Sequence, residues 1–412
     1  MTMRIPLSSP DITQTEIDAV TAVLRTNRLS LGPELEAFEH AMAAYHGVPD
    51  AIAVSSGTAG LHLALLALNI REGDEVILPS FAFIAVANAV TYVRATPVFV
   101  DIDPATLNLD PALIEQAITP RTRAILIVHT FGVPADMDRI LAIARRHNLA
   151  VIEDACEAIG ATYNAHRVGS FGDLAIFGFY PNKQITTGEG GCVLARDPAL
   201  ARRIRSLRNQ GRMPGPPENS VPRATNDLDS NWLEHAEIGY NYRLSELACA
   251  LGRVQLARID EILALRRAAA ERYHALLSGI PAVELPPAAV PQRTISWFVY
   301  VVRLGQTPEM GETEQALRGR VQASLAARGI ATARYFAPIH LQPAWLQPAW
   351  LQPIRLQPGG YNPPDVNAAS LHHTVAIAGR TLALPFFNRI TPLQQSEVAQ
   401  AVIDALTSIR RS

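Results

Sequence analysis

The stretch Ala51–Leu68, AIAVSSGTAGLHLALLAL, changes character at its middle. AIAV is a short apolar run without polar alternation, the pattern of a strand covered on both faces. TAGLHLALLAL is long enough and apolar enough for a buried helix, and SSGTAG (Ser55–Gly60) marks the junction. Strand, tight junction and helix in that order form half of a parallel βαβ unit.

The same alternation continues outward from this unit. EVILPS (75–80) precedes FIAVANAVTYV (83–93), and TPVFVDID (96–103) is followed by RAILIVHT (123–130) and the helical ADMDRILAIARRH (135–147). LAVIED (149–154), LAIFGFY (174–180) and GGCVLAR (190–196) complete the series. Runs of this kind predict an α/β domain with a mostly parallel central sheet. After Tyr242 the spacing of Leu247, Leu251, Val254, Ile259 and Ile262 predicts one long amphipathic helix over about 245–277. We expect a large domain over 1–255, including the N-terminal segment, and a smaller α/β domain over 256–412.

Composition excludes several classes of function. A formal charge of −2 and a pI near 6.6 leave no basic footprint for nucleic acid or an anionic membrane. The three cysteines Cys156, Cys192 and Cys249 form neither a disulfide framework nor a CxxC metal pair, so no metal is expected. No apolar run approaches the length of a membrane span, and MTMRIPLSSPDI lacks a signal-peptide core. The expectation is a cytoplasmic protein acting on small molecules. HLQPAWLQPAWLQPIRLQPGG, from His340, repeats LQP every five residues. Proline in every period predicts an extended loop over 341–360. Either it is a tolerated surface expansion, or Trp345 or Trp350 forms part of a ligand wall.

One basic residue stands apart. Lys183, in FYPNKQITTGEGG (179–191), is the only lysine; the other 35 of the 36 Lys and Arg positions are arginine. Lysine can lose its proton near neutral pH and attack a carbonyl to form a Schiff base, which guanidinium cannot do. The glycines that follow permit close approach by a flat ligand. If that ligand is pyridoxal 5′-phosphate (PLP), three companions are required. SSGTAG at a helix start suits the phosphate, although Ser and Thr equally cap ordinary helices. Asp154, at a strand's carboxyl end, suits the pyridine nitrogen, although such aspartates also cap helices. Phe83 suits stacking on the ring, and equally suits the core.

These segments, with DEVILPSFAF, VIEDACEAIGA, VGSFGD, GYNYRLSELACALG and RTLALPFFNRIT, resemble the DegT/DnrJ/EryC1/StrS family of PLP-dependent sugar aminotransferases. The likeness runs from about residue 5 to the end. It implies the fold type I, aspartate aminotransferase-like architecture and a homodimer with shared active sites. It further implies Lys183 as Schiff-base lysine, Asp154 as pyridine partner, Thr58 and Ala59 at the phosphate, and Phe83 as stacking residue. Asn241 would reach the neighbouring subunit's phosphate, and His340 would touch substrate. Many relatives carry Gln or His where this chain has Glu157, near the cofactor's phenolic oxygen. Glutamate there, with NK before ITTGEGG, is similar to the GDP-perosamine synthases.

The implied reaction moves an amino group, with L-glutamate as donor and pyridoxamine 5′-phosphate as intermediate, to a keto-sugar nucleotide, a 4-keto-6-deoxy sugar among the candidates. Relatives often carry Ser where this chain has Gly178, so one phosphate contact is missing or supplied from elsewhere. A non-catalytic PLP-binding sensor of the same fold is the alternative. A sugar dehydratase of the family would replace the lysine by histidine. A Rossmann dehydrogenase would need GxGxxG directly after the first strand, whereas GEGG lies late in the domain.

Overall fold

The computed structural model describes residues 3–212, 235–305, 313–346 and 371–411. Each of the seven expected apolar runs becomes a strand: β1 (Asp50–Val54), β2 (Glu75–Pro79), β3 (Thr96–Val100), β4 (Thr122–Val128), β5 (Ala150–Asp154), β6 (Leu174–Gly178) and β7 (Gly191–Ala195). They form one sheet in the order β1-β7-β6-β5-β4-β2-β3. Only β7 is reversed, pairing antiparallel with both β1 and β6.

The strands read as unbroken apolar runs because helices cover both faces. Ile52, Val54, Val76, Leu78, Leu126, Ile152, Ile176 and Val193 join one core with α1 (Gly57–Ala67) and the Ala85–Tyr92 helix. Alternate residues, such as Ala53, Phe177 and Leu194, enter a second core on the other face. The continuous apolar character of α1 follows, since it is buried almost all round.

A smaller sheet joins β8 (Val283–Glu284), β9 (Tyr300–Leu304) and β10 (Thr381–Leu384) in that order. Its core includes Tyr300, Val302, Leu317, Val321, Leu382, Val398 and Val402, with Ala269, Tyr273 and Leu277 from the preceding helix. Ile5, from the N-terminal segment, is buried in this core and bonds through its backbone to Gly329 and Ala331.

The long helix expected over 245–277 is two helices, α2 (Glu246–Ala257) and α3 (Ile259–Leu277). Arg258 between them leaves the helical region at φ −100°, ψ 10°, and its guanidinium bonds Glu16, Asp11 and Glu261. The apolar spacing runs through this break without Gly or Pro, and the residue at the break is the one held by these ion pairs. Of the LQP segment, Ile339–Leu341 forms a short helical turn and Pro343–Leu346 a single helical turn. Positions 347–360, including Trp350, lie outside the described residues.

Candidate active site

The carboxyl ends of the parallel strands open onto a cavity of about 380 Å³, within the range of small-molecule sites. The β1–α1 junction supplies Ser56, Gly57 and Thr58 to its wall, and β5 ends on Asp154 with Cys156 and Glu157 following. β6 ends on Gly178, and Phe179, Tyr180, Asn182 and Lys183 follow it into the wall. Phe83, after β2, also lines it and is 62% exposed, so it is not a core residue.

Ser56 caps α1, its hydroxyl accepting the Ala59 N–H at 3.0 Å. The N–H groups of Gly57 and Thr58, in the first turn, have no preceding helical carbonyl and carry the positive end of the helix. Free N–H groups at a helix start attract negative charge, and these two residues line the cavity wall. Asp154 caps no helix: its Oδ1 accepts the Cys156 N–H at 3.0 Å, and its carboxylate lines the cavity. Gly178 is explained by Cys156. A Cβ added at 178 would stand 3.2 Å from Cys156 Sγ, and one added at Gly57 would stand 2.8 Å from it. The thiol fills the space between two glycines. Burial, and next to it the Asp154 charge, pushes that thiol well above the ordinary range, so it stays protonated.

Lys183 sits in an irregular turn after β6, its N–H donating to Tyr180 O. Its Nζ lies 4.0 Å from the centre of the Phe298 ring and 3.9 Å from Glu157 Oε1. Glu157 is buried and accepts the Phe131 N–H at 2.9 Å. Phe131 reaches it from a left-handed conformation, φ 57°, uncommon for a non-glycine residue. Two full charges 3.9 Å apart attract by about 4 kcal/mol at an effective dielectric of 20. Desolvation of the carboxylate outweighs this: burial pushes Glu157 up to about 7, with Lys183 pulling the other way. The Glu157 carboxyl therefore changes charge near neutral pH, 3.9 Å from the lysine amine.

Of the residues singled out from sequence, Thr58, Phe83, Asp154, Glu157 and Lys183 share this cavity. Ala59, Asn241 and His340 are not among its lining residues. Ala59 is buried with its N–H taken by Ser56, and Asn241 is exposed beside Asn209. His340 is buried, its Nδ1 2.6 Å from Ser80 Oγ. Trp345 packs edge-on against Phe99, 5.7 Å between ring centres, and is not among the lining residues either. Sequence reading missed Phe298, Tyr335 and Phe336, which close the cavity from the C-terminal half. It also missed Tyr180 and Asn182 as wall residues, although both lie inside the quoted lysine motif.

The model of the DegT/DnrJ/EryC1/StrS aminotransferase family matches residues 10–403, a span that contains every residue of the cavity wall. The chain belongs to this family. GDP-perosamine synthase of Caulobacter vibrioides is 44% identical over 345 residues, 82% of this chain and 86% of that protein. dTDP-3-amino-3,4,6-trideoxy-alpha-D-glucose transaminase of Streptomyces venezuelae is 39% identical over 390 residues, 94% and 90% of the two chains. The crystal structure of S. venezuelae DesV in complex with a ketimine intermediate matches with a TM-score of 0.81 and 36% identity, covering 100% of each chain. The family and the α/β aminotransferase architecture are thus as the sequence implied. Among the described residues no helix is long and apolar enough to cross a membrane.

Proposed function

We propose that this chain is a PLP-dependent aminotransferase that transfers an amino group, with L-glutamate as donor, to a keto group on a nucleotide-linked sugar. A 4-keto-6-deoxy sugar is the acceptor we assign. The observation that carries this reading is the meeting of the only lysine with Asp154 and the α1 N-terminus in one cavity. The names of the relatives, a GDP-sugar synthase and a dTDP-sugar transaminase, support an enzyme over a regulatory protein.

The donor set fits PLP. The α1 N-terminus with Thr58 would hold the phosphate, Asp154 would keep the pyridine nitrogen protonated, Phe83 would cover the ring, and Lys183 Nζ would hold the aldehyde carbon. Glycine at 57 and 178 leaves room for close approach at the phosphate end, with the Cys156 S–H as a neighbouring donor. When bound, the cofactor supplies the electron sink. Lys183 would then act as general base and acid at Nζ, with the Glu157 carboxyl 3.9 Å from it. The Phe298 ring lies 4.0 Å from that amine, and Tyr335 and Phe336 add apolar surface to the same wall.

The rest of the reading is a cytoplasmic homodimer. Exposure of Asn241, and of Tyr180 and Phe83 at the cavity, supports a partner subunit covering this face, with Asn241 reaching the partner's phosphate site. The apolar core of the second sheet, built mainly from Ala269 onward with Ile5 and Val133 joining it, supports a smaller C-terminal domain, which we begin near residue 256. We retain His340 as a substrate-side residue on the strength of its buried Nε2, which has no partner among the described residues.

The test is incubation of the PLP-loaded protein with L-glutamate and a panel of GDP- and dTDP-linked keto sugars, read by mass spectrometry. Glutamate-dependent appearance of an aminosugar nucleotide is the expected result. A loaded protein that converts none of them, and does not consume glutamate, contradicts the assignment.

A further inference from the structure

Arg266 lies in the middle of α3 and is 2% exposed, the largest fully buried side chain among the described residues. An arginine so deep ordinarily has a carboxylate partner, because burying an unpaired charge is costly. Arg266 makes no ion pair of that kind among the described residues. Its three hydrogen bonds go to main-chain carbonyls: Nη1 donates to Trp297 O and Phe298 O, both at 3.0 Å, and Nη2 to Lys183 O at 3.1 Å. Burial accordingly pulls its guanidinium below the ordinary arginine range, with only the more distant Asp11 opposing this.

The identity of those carbonyls is informative. Arg318, another buried arginine, donates to Ala378 O and Gly379 O at the end of the His372–Arg380 helix, which is a common way to satisfy a helix C-terminus. The three carbonyls held by Arg266 belong to no helix and no strand. They lie on two irregular segments, one carrying Lys183 and the other carrying the Phe298 ring on which the Lys183 ammonium rests. Trp297 is itself left-handed, φ 53°, a conformation that persists only where its surroundings hold it. Gln184, next to the lysine, also joins the two segments, its Nε2 donating to Ser296 Oγ and to Glu157 O.

We propose that Arg266 is a positioning residue for Lys183, its guanidinium fixing the lysine's backbone against the Trp297–Phe298 segment so that Nζ is presented to the cofactor aldehyde. A lysine on an irregular turn has no ladder of hydrogen bonds to define its place, and displacement of a reacting atom by about 1 Å costs on the order of 10²-fold in rate. This inference rests on the reading of Lys183 as the Schiff-base lysine.

The experiment compares wild type with Arg266→Met, of similar length but without donors, and with Arg266→Gln, which keeps one donor group. PLP is added to each apo-protein, and the rate of absorbance change at the cofactor band is followed at a temperature where circular dichroism shows the fold intact. Reduction with borohydride then quantifies attachment at Lys183. The expected result is cofactor attachment about 10²-fold slower in Arg266→Met, partial recovery in Arg266→Gln, and a fall in kcat with little change in KM for the amino donor. Should the Met variant not fold, the Gln variant alone must show the slowing. Wild-type attachment rates in a folded variant, with only a lowered Tm, overturn the proposal. Failure of the wild type to take up PLP overturns instead the reading of Lys183 beneath it.

Discussion

Glu157 Oε1 lies 3.9 Å from Lys183 Nζ, in a wall where burial holds the carboxyl at about 7 rather than at its ordinary 4.5. Its folded value is raised, so between these two pH values the native state binds more protons than the unfolded chain and stability falls as pH rises. Glutamine does not titrate and lacks this loss. We expect apo Glu157→Gln to match wild type near pH 4.5 and to gain on it up to pH 7, by about 3 kcal/mol at most, with a plateau above. Urea denaturation across pH 4.5–8 measures it, and a difference that does not change with pH contradicts the burial account.

Glu153, one residue before Asp154, is fully buried and accepts hydrogen bonds from His129 Nε2 at 3.0 Å and from the N–H groups of Gly169, Phe171 and Gly172. Burial alone would raise its carboxyl; His129 and these backbone donors hold it below the ordinary range. Glu153→Ala orphans three amides and an imidazole. The expected loss is at least about 3 kcal/mol of unfolding free energy, read by denaturant midpoint, and a change under 1 kcal/mol would show the network to be dispensable.

The Cys156 and Gly178 positions are sterically linked, since a Cβ at 178 meets Sγ at 3.2 Å and the Cys156 Cβ at 3.4 Å. Gly178→Ser is expected to destabilise by about 1–3 kcal/mol through overpacking. Adding Cys156→Ala removes the obstructing sulfur and is expected to restore most of that loss. A double-mutant cycle tests this; strict additivity of the two changes would remove the link.

Lys183→Arg keeps a positive charge over the Phe298 ring but cannot become a nucleophilic amine at neutral pH. We expect the fold and far-ultraviolet spectrum to persist while amino transfer drops to background. Measurable turnover by the purified variant would reject the Schiff-base role.

Much of this site was legible in the sequence for one physical reason. Strands covered on both faces announce themselves as unbroken apolar runs, and their carboxyl ends then place SSGTAG, Phe83, Asp154 and Lys183 on one edge of one sheet. Phe298, Tyr335 and Phe336 carry no such mark, because they come from irregular segments more than a hundred residues beyond the lysine. Arg266 reads as one of several charges in LALRRAAAERYH, and only the packing of α3 shows that it is buried. The break at Arg258 is hidden for the same reason, since its ion pairs with Asp11 and Glu16 are some 240 residues distant in the chain.

Because Lys183 is the only lysine, a cofactor trapped on a lysine side chain can sit at one position alone. The purified protein is incubated with PLP, reduced with borohydride, digested and analysed by peptide mass spectrometry. The expected result is a protein that turns yellow with PLP and carries, after reduction, a single pyridoxyl adduct on Lys183. A colourless protein without an adduct at that position would contradict it.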